Sequence, residues 1–268
     1  MRVRIYSSSQ SDEEDGNSNG AIKTISLSQV SGATSQEEAP TLQTGVLTEK
    51  QKRHSKLYKE YRRDKKIPEQ AAETNFDFGM TWGTGFPGES PGVTPPTFSE
   101  RITNLSCDAD AIVVGEVTSK SSQLIEDQDF IFTDYELKVE EVIKNNASDQ
   151  ITPKAEITVT GPGGKIQINN RIVEAIDLSL PPLIVGERYL LFLKSTSIAG
   201  GYKAVNKESR FHLTNDGVET ITIPIRNRLK NAKNMPKPKN LGQASTFFTP
   251  VREAVATGCV GEKKGGAQ

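Results

Sequence analysis

Few residues in this chain are of a type and spacing that could do chemistry. Gly161-Pro162-Gly163-Gly164-Lys165 has the glycine content of a phosphate-binding loop. Such a loop needs its lysine followed by Ser or Thr at the start of a helix, so that amides and helix dipole meet the phosphate. Here Ile166-Gln167-Ile168 follows, a strand pattern, so a hairpin turn between two strands is the expected structure. The two histidines fall apart: His54 lies in a basic helical segment and His212 on an alternating strand. They are not expected to meet in a metal site or a triad. Phe211 and Leu213 flank His212, which predicts an imidazole on the solvent side. Glu140 and Glu141 are neighbours on a strand and face opposite ways, so they cannot share acid–base work. No catalytic residue, metal ligand or cofactor is expected, and the chain reads as non-enzymatic.

Cys107 and Cys259 are the only cysteines. Each sits at an expected helix end on either side of a β-rich stretch. Two readings stay open: unrelated buried thiols, as in a cytosolic chain, or a bond tying the last helix to the first strand. Asn104-Leu105-Ser106 and Asn146-Ala147-Ser148 match the glycosylation sequon, a pattern too common to decide anything.

The elements that must position these residues are mostly strands. Thr97-Phe98-Ser99-Glu100 is a capping box that should open a short helix ending near Ser106. Strand patterns follow at 111–120, 130–144, 157–160, 165–168, 171–176, 188–194, 202–205, 210–214 and 218–223. Turn residues separate them at Asn169-Asn170, Gly200-Gly201 and Asn215-Asp216-Gly217. Thr249 as cap, Pro250 at the first helical position and Gly258 past the end bracket a last helix over 250–257. The fold class is therefore all-β with small α content, a barrel or sandwich over 97–260.

Composition says the remainder is not globular. Only 34% of the 268 residues are hydrophobic and mean hydropathy is −0.50, too little for one core along the whole length. Residues 1–47 read as a disordered tail. Residues 48–74 read as a basic helical segment carried on it, with Leu57, Tyr58 and Tyr61 at helical spacing. Residues 75–96 read as a Gly/Pro-rich linker, and 261–268 as a short end. A protease should then strip everything before about residue 95. A net charge of −1 gives no overall attraction to nucleic acid, and none is expected as partner. No run of 18 apolar residues exists to span a bilayer, and the first 30 residues have no signal-peptide apolar region.

Cys107-Asp108-Ala109-Asp110-Ala111-Ile112-Val113-Val114 resembles the stretch that opens the barrel in tissue inhibitors of metalloproteinases and netrin-like domains. Tyr135-Glu136-Leu137-Lys138 with Val142-Ile143-Lys144 resembles their long second strand, and Val185-Gly186-Glu187-Arg188-Tyr189-Leu190-Leu191 the motif entering a later one. The same phrases resemble those of bacterial exported proteins. The resemblance covers roughly 105–260. It implies a five-stranded Greek-key barrel of the OB type with a short helix before and after it, a Cys107–Cys259 disulfide, and an extracytoplasmic (periplasmic or secreted) location. The inhibitors chelate zinc through an N-terminal Cys-x-Cys pair; this chain has no cysteine before Cys107, so that activity does not carry over. The expectation is an exported, non-enzymatic protein-binding or structural module with an unidentified protein partner. The alternative is an oligonucleotide- or oligosaccharide-binding barrel, which would show stacked aromatics with Lys or Arg on an open face.

Overall fold

Ile112-Val113-Val114 and Leu190-Leu191-Phe192 are runs without a polar face, and each is buried on both sides of its strand. In the computed structural model, residues 4–7, 41–42, 47–61, 65–73, 78–82, 96–147, 149–177, 179–196, 201–221 and 240–257 are described. The first elements are β1 (Arg4–Ser7), β2 (Thr41–Leu42), α1 (Glu49–Ser55), a 3-10 helix (Lys56–Tyr61), α2 (Ile67–Glu73), β3 (Phe78–Trp82) and α3 (Phe98–Asp108). Then follow β4 (Ala111–Leu124), β5 (Ile131–Asn145), β6 (Glu156–Ile168), β7 (Arg171–Asp177), β8 (Arg188–Ser195), β9 (Gly201–Ala204), β10 (Arg210–Thr214), β11 (Gly217–Thr220) and α4 (Ala244–Ala256). The fold is mostly β.

Five strands pair in a circuit: β4 with β5, β5 with β6, β6 with β9, β9 with β8, and β8 with β4 again. Only β6–β9 is parallel. From the far half of β6 the ladder continues through β7, β3 and β1, and from β8 through β10 and β11. Three apolar clusters follow. Val113, Val117, Leu137, Val159, Tyr189 and Leu191 fill the circuit. Ile112, Val114, Phe192 and Phe211 take the other face of their strands, under Ile102 and Leu105 of α3 and Phe247 and Val251 of α4. Tyr58, Ile67, Met80, Phe130, Phe132 and Ile166 form the third.

That third cluster corrects the expected tail. The basic segment is no solvated helix: Tyr58, Ile67 and Ala71 are core residues, packed with Met80 against the aromatic end of β5. Nor is the Gly/Pro-rich stretch without regular structure, because β3 lies within it and runs parallel to β7. Of the expected disordered stretch, 4–7 and 41–42 are strands, and its remainder up to 46 lies outside the described residues, as do 83–95.

The expected hairpin at Gly161-Pro162-Gly163-Gly164 is also absent, since β6 runs through it unbroken. Up to Pro162 it pairs with β5; from Gly163 onward it pairs with β7. Gly163 and Gly164 have φ of +90° and +145°, which other residues rarely adopt. They let one strand change partners instead of reversing. Asn169-Asn170 does turn, between β6 and β7, with φ of 47° and 61°.

The capping box at Thr97 forms as expected, with the Thr97 hydroxyl accepting from the Glu100 amide and the Glu100 carboxylate accepting from the Thr97 amide. The last helix departs from its expected 250–257. It starts at Ala244, Pro250 lies inside it, and the Thr249 hydroxyl donates to the Ser245 carbonyl instead of capping. Burial of Phe247 against Phe211 and Phe98, with centroids 5.0 and 5.4 Å away, holds the extra turns.

Candidate functional site

Lys50, His54 and Tyr58 are spaced by four, which puts them on one helical face. Asp134 and Glu136 share one face of β5, and Thr158 and Thr160 one face of β6. The two sets meet. Lys50 Nζ reaches Glu136 Oε1 at 3.2 Å and donates to the Thr158 hydroxyl. His54 Nδ1 lies 2.8 Å from both carboxylate oxygens of Asp134, and His54 is fully buried. The Tyr58 and Thr160 hydroxyls share a hydrogen bond of 3.0 Å. The polar side of β5–β6 is thus sealed by the chain's own helix. Burial pushes the Tyr58 phenol far above its usual value, so it stays protonated and cannot act as a base. Tyr58→Phe should cost about 0.5–1.5 kcal/mol in a urea melt, the net worth of one buried hydrogen bond.

Beside this seal lies a cleft of about 180 Å³, walled by Tyr58 and Tyr61, by Tyr135 of β5, by Leu183, and by Lys203 and Arg210. Alternation along β10 sends Phe211 and Leu213 to the helices and Arg210 the other way. Arg210 is only 6% exposed. Its Nε and Nη2 find no hydrogen-bond partner among the described residues. Burial lowers its pKa, while Tyr135, Tyr189 and Asp177 pull it back up. Asp177 is itself buried, which raises its pKa, and it accepts the Ser179 amide at 2.8 Å. A second groove, of about 490 Å³, runs between α3 and β10–β11 and is mostly apolar, with Phe98, Ile102, Leu105 and Leu241 in its wall.

No family model and no curated protein matches the chain.

Among the described residues, those singled out from sequence do not converge on one site. Cys107 sits half-buried in the last turn of α3, and Cys259 lies outside the described residues. His212 is not simply turned to solvent: its Nε2 lies 2.8 Å from Glu187 and its ring packs 5.3 Å from Tyr189. Glu140 pairs with Arg188 and Glu141 with Arg252, on separate partners as adjacent strand residues must be. Gly164 contributes no phosphate cradle, because the space a Cβ would need is taken by the Thr133 and Ser122 hydroxyls. Among the described residues no three His, Cys, Asp or Glu side chains converge to hold a metal, and no helix is long and apolar enough to cross a membrane.

Asp110 pins the start of β4 to the end of β8, accepting from Lys194 Nζ, the Ser195 amide and the Ser195 hydroxyl at 2.9–3.0 Å. Burial raises the pKa of its carboxyl, but those donors outweigh it and hold the group below the usual range. A depressed carboxyl stabilises the fold above its unfolded pKa, and that contribution is lost as pH falls through the folded value. Asp110→Asn should therefore flatten the acid limb of stability below about pH 4 in melts taken across pH.

Proposed function

We propose that the five-strand circuit is an OB-type Greek-key barrel and that the chain is an exported, non-enzymatic module that binds a protein or serves structurally. The seal over β5–β6 carries this reading. Barrels of this type offer the face of their second and third strands to oligonucleotides and oligosaccharides. Here β5 and β6 hold those places, and Lys50, His54 and Tyr58 occupy their polar face. A binder of nucleic acid or sugar would need that face open. The single parallel joint at β6–β9, with α3 before the circuit and α4 after it, supports the barrel.

The test is direct. The full chain, titrated with fluorescent single-stranded DNA and with a labelled oligosaccharide, should show no saturable binding; a Kd below about 10 µM for either would overturn the reading.

Export is bound up with the proposed Cys107–Cys259 disulfide. Phe98 and Phe247, both in early turns, lie against each other, and Arg252 farther along α4 reaches Glu141 of β5. This supports α3 and α4 running in the same sense, with α4 ending toward Cys107. Intact mass after alkylation, with and without prior reduction, should show two thiols only after reduction. Two thiols in the unreduced protein purified from the cell envelope would sink the bond and remove the main support for export.

A further inference from the structure

We propose that the cleft at Arg210 is a binding site for a small organic carboxylate with a flat apolar body, of about the size of benzoate. This goes beyond the reading above, since a module of either role could carry it.

The buried Arg210 guanidinium lacks acceptors at two of its nitrogens among the described residues. An arginine presents Nε–H and Nη2–H side by side, a fork that matches the two oxygens of a carboxylate. Arg188 shows the fork in use, with Nε 3.1 Å from Glu140 Oε1 and Nη2 2.5 Å from Oε2. On Arg210 the same two nitrogens are buried and unpartnered among the described residues. A buried charge without acceptors is strongly unfavourable, and among the described residues these two nitrogens have none. The nearby carboxylate of Asp177, which accepts the Ser179 amide at 2.8 Å, attracts Arg210 without bonding to either of those nitrogens. Neither nitrogen has accessible surface in the closed cleft, so an incoming anion would reach the pair by displacing a side chain of the wall.

The walls choose its body. Tyr58, Tyr61 and Tyr135 line the space with Leu183, and rings of this kind receive a flat apolar group. Lys203 at the exposed rim adds a second positive charge on the way in. The volume of about 180 Å³ falls below the roughly 300–1,000 Å³ of sites for drug-sized ligands. One ring and its carboxylate fit; a nucleotide or an oligosaccharide does not.

Isothermal titration of the full chain with benzoate, benzamide and inorganic phosphate tests the assignment. Benzoate is expected to bind with a Kd below about 1 mM. Benzamide, the neutral isostere, and phosphate, which lacks the apolar body, should each bind at least tenfold more weakly. Arg210→Gln should weaken benzoate at least tenfold, while Arg188→Gln leaves it unchanged. Lys203→Glu, on the exposed rim, should weaken it several-fold and decides the matter if Arg210→Gln fails to fold. Equal binding of benzoate and benzamide, equal binding of phosphate, or no benzoate binding up to about 10 mM would each overturn the proposal.

Discussion

A chain cut back to residues 96–268 loses cooperative folding. The loss removes Tyr58, Ile67 and Met80 from contact with Phe130, Phe132 and Ile166, and every one of these is buried. At about 1.5–3 kcal/mol for each large apolar side chain, the three together contribute roughly 5–9 kcal/mol. Whole domains are stable by only about 5–15 kcal/mol. His54 leaves too, and the Asp134 carboxylate is then deprived of its 2.8 Å partner. Circular dichroism during heating, with dye binding to exposed apolar surface, reads the outcome. A truncated chain that melts cooperatively near the temperature of the full one would show that the third cluster is not part of the fold. The same packing reverses the proteolysis expected from composition, because cutting inside 47–61 requires the seal to open first.

Gly164→Ala is a single substitution with a large expected loss. The new methyl would run into the Thr133 and Ser122 hydroxyls, which bond to each other at 2.8 Å while Thr133 also donates to the Gly163 carbonyl at 2.6 Å. It would also have to hold φ near +145°. Overpacking and backbone strain add to roughly 2–6 kcal/mol. Gly186→Ala is the contrast: φ is +84°, but nothing lies within 4 Å of the added carbon. Only the strain remains there, about 1–3 kcal/mol. Denaturant melts of the two variants should rank them in that order. If Gly164→Ala costs no more than Gly186→Ala, the crowding at the strand switch is not what selects glycine.

What could be read from the sequence was what local residues decide. The Thr97 capping box, the alternation in β5 and the Asn169-Asn170 turn need no distant partner, and all appear where expected. The hairpin at Gly161–Gly164 failed because glycines that allow a turn equally allow a strand to switch neighbours, and only β7 on the far side distinguishes the two. α4 starts at Ala244 because the local signal at Thr249-Pro250 is overridden by burial of Phe247. The basic residues of the segment at 48–74 point to a solvated helix. Its better signal was the four-residue spacing of Lys50, His54 and Tyr58, which lines up an uncharged phenol and an imidazole on one side of a basic helix. Arg210 had no signal at all. In sequence it is one more polar residue at the start of a strand, and the groups that act on its charge, Tyr135, Tyr189 and Asp177, come from other strands.

The seal over β5–β6 also has a meaning in time. Its bonds join residues 80, 86, 102 and 108 apart along the chain. By contrast, β4 and β5 meet across a short connection at Leu124 and Ile131. Closing a long loop must precede any reward from the contacts that close it, and its entropic cost grows only slowly with length. The β4–β5 hairpin is therefore positioned to form early, and the helix that covers it to dock late. Until it docks, Asp134, Phe130 and Phe132 stand open to water, and the newly made chain passes through a stage at which its aromatic end can stick to another copy.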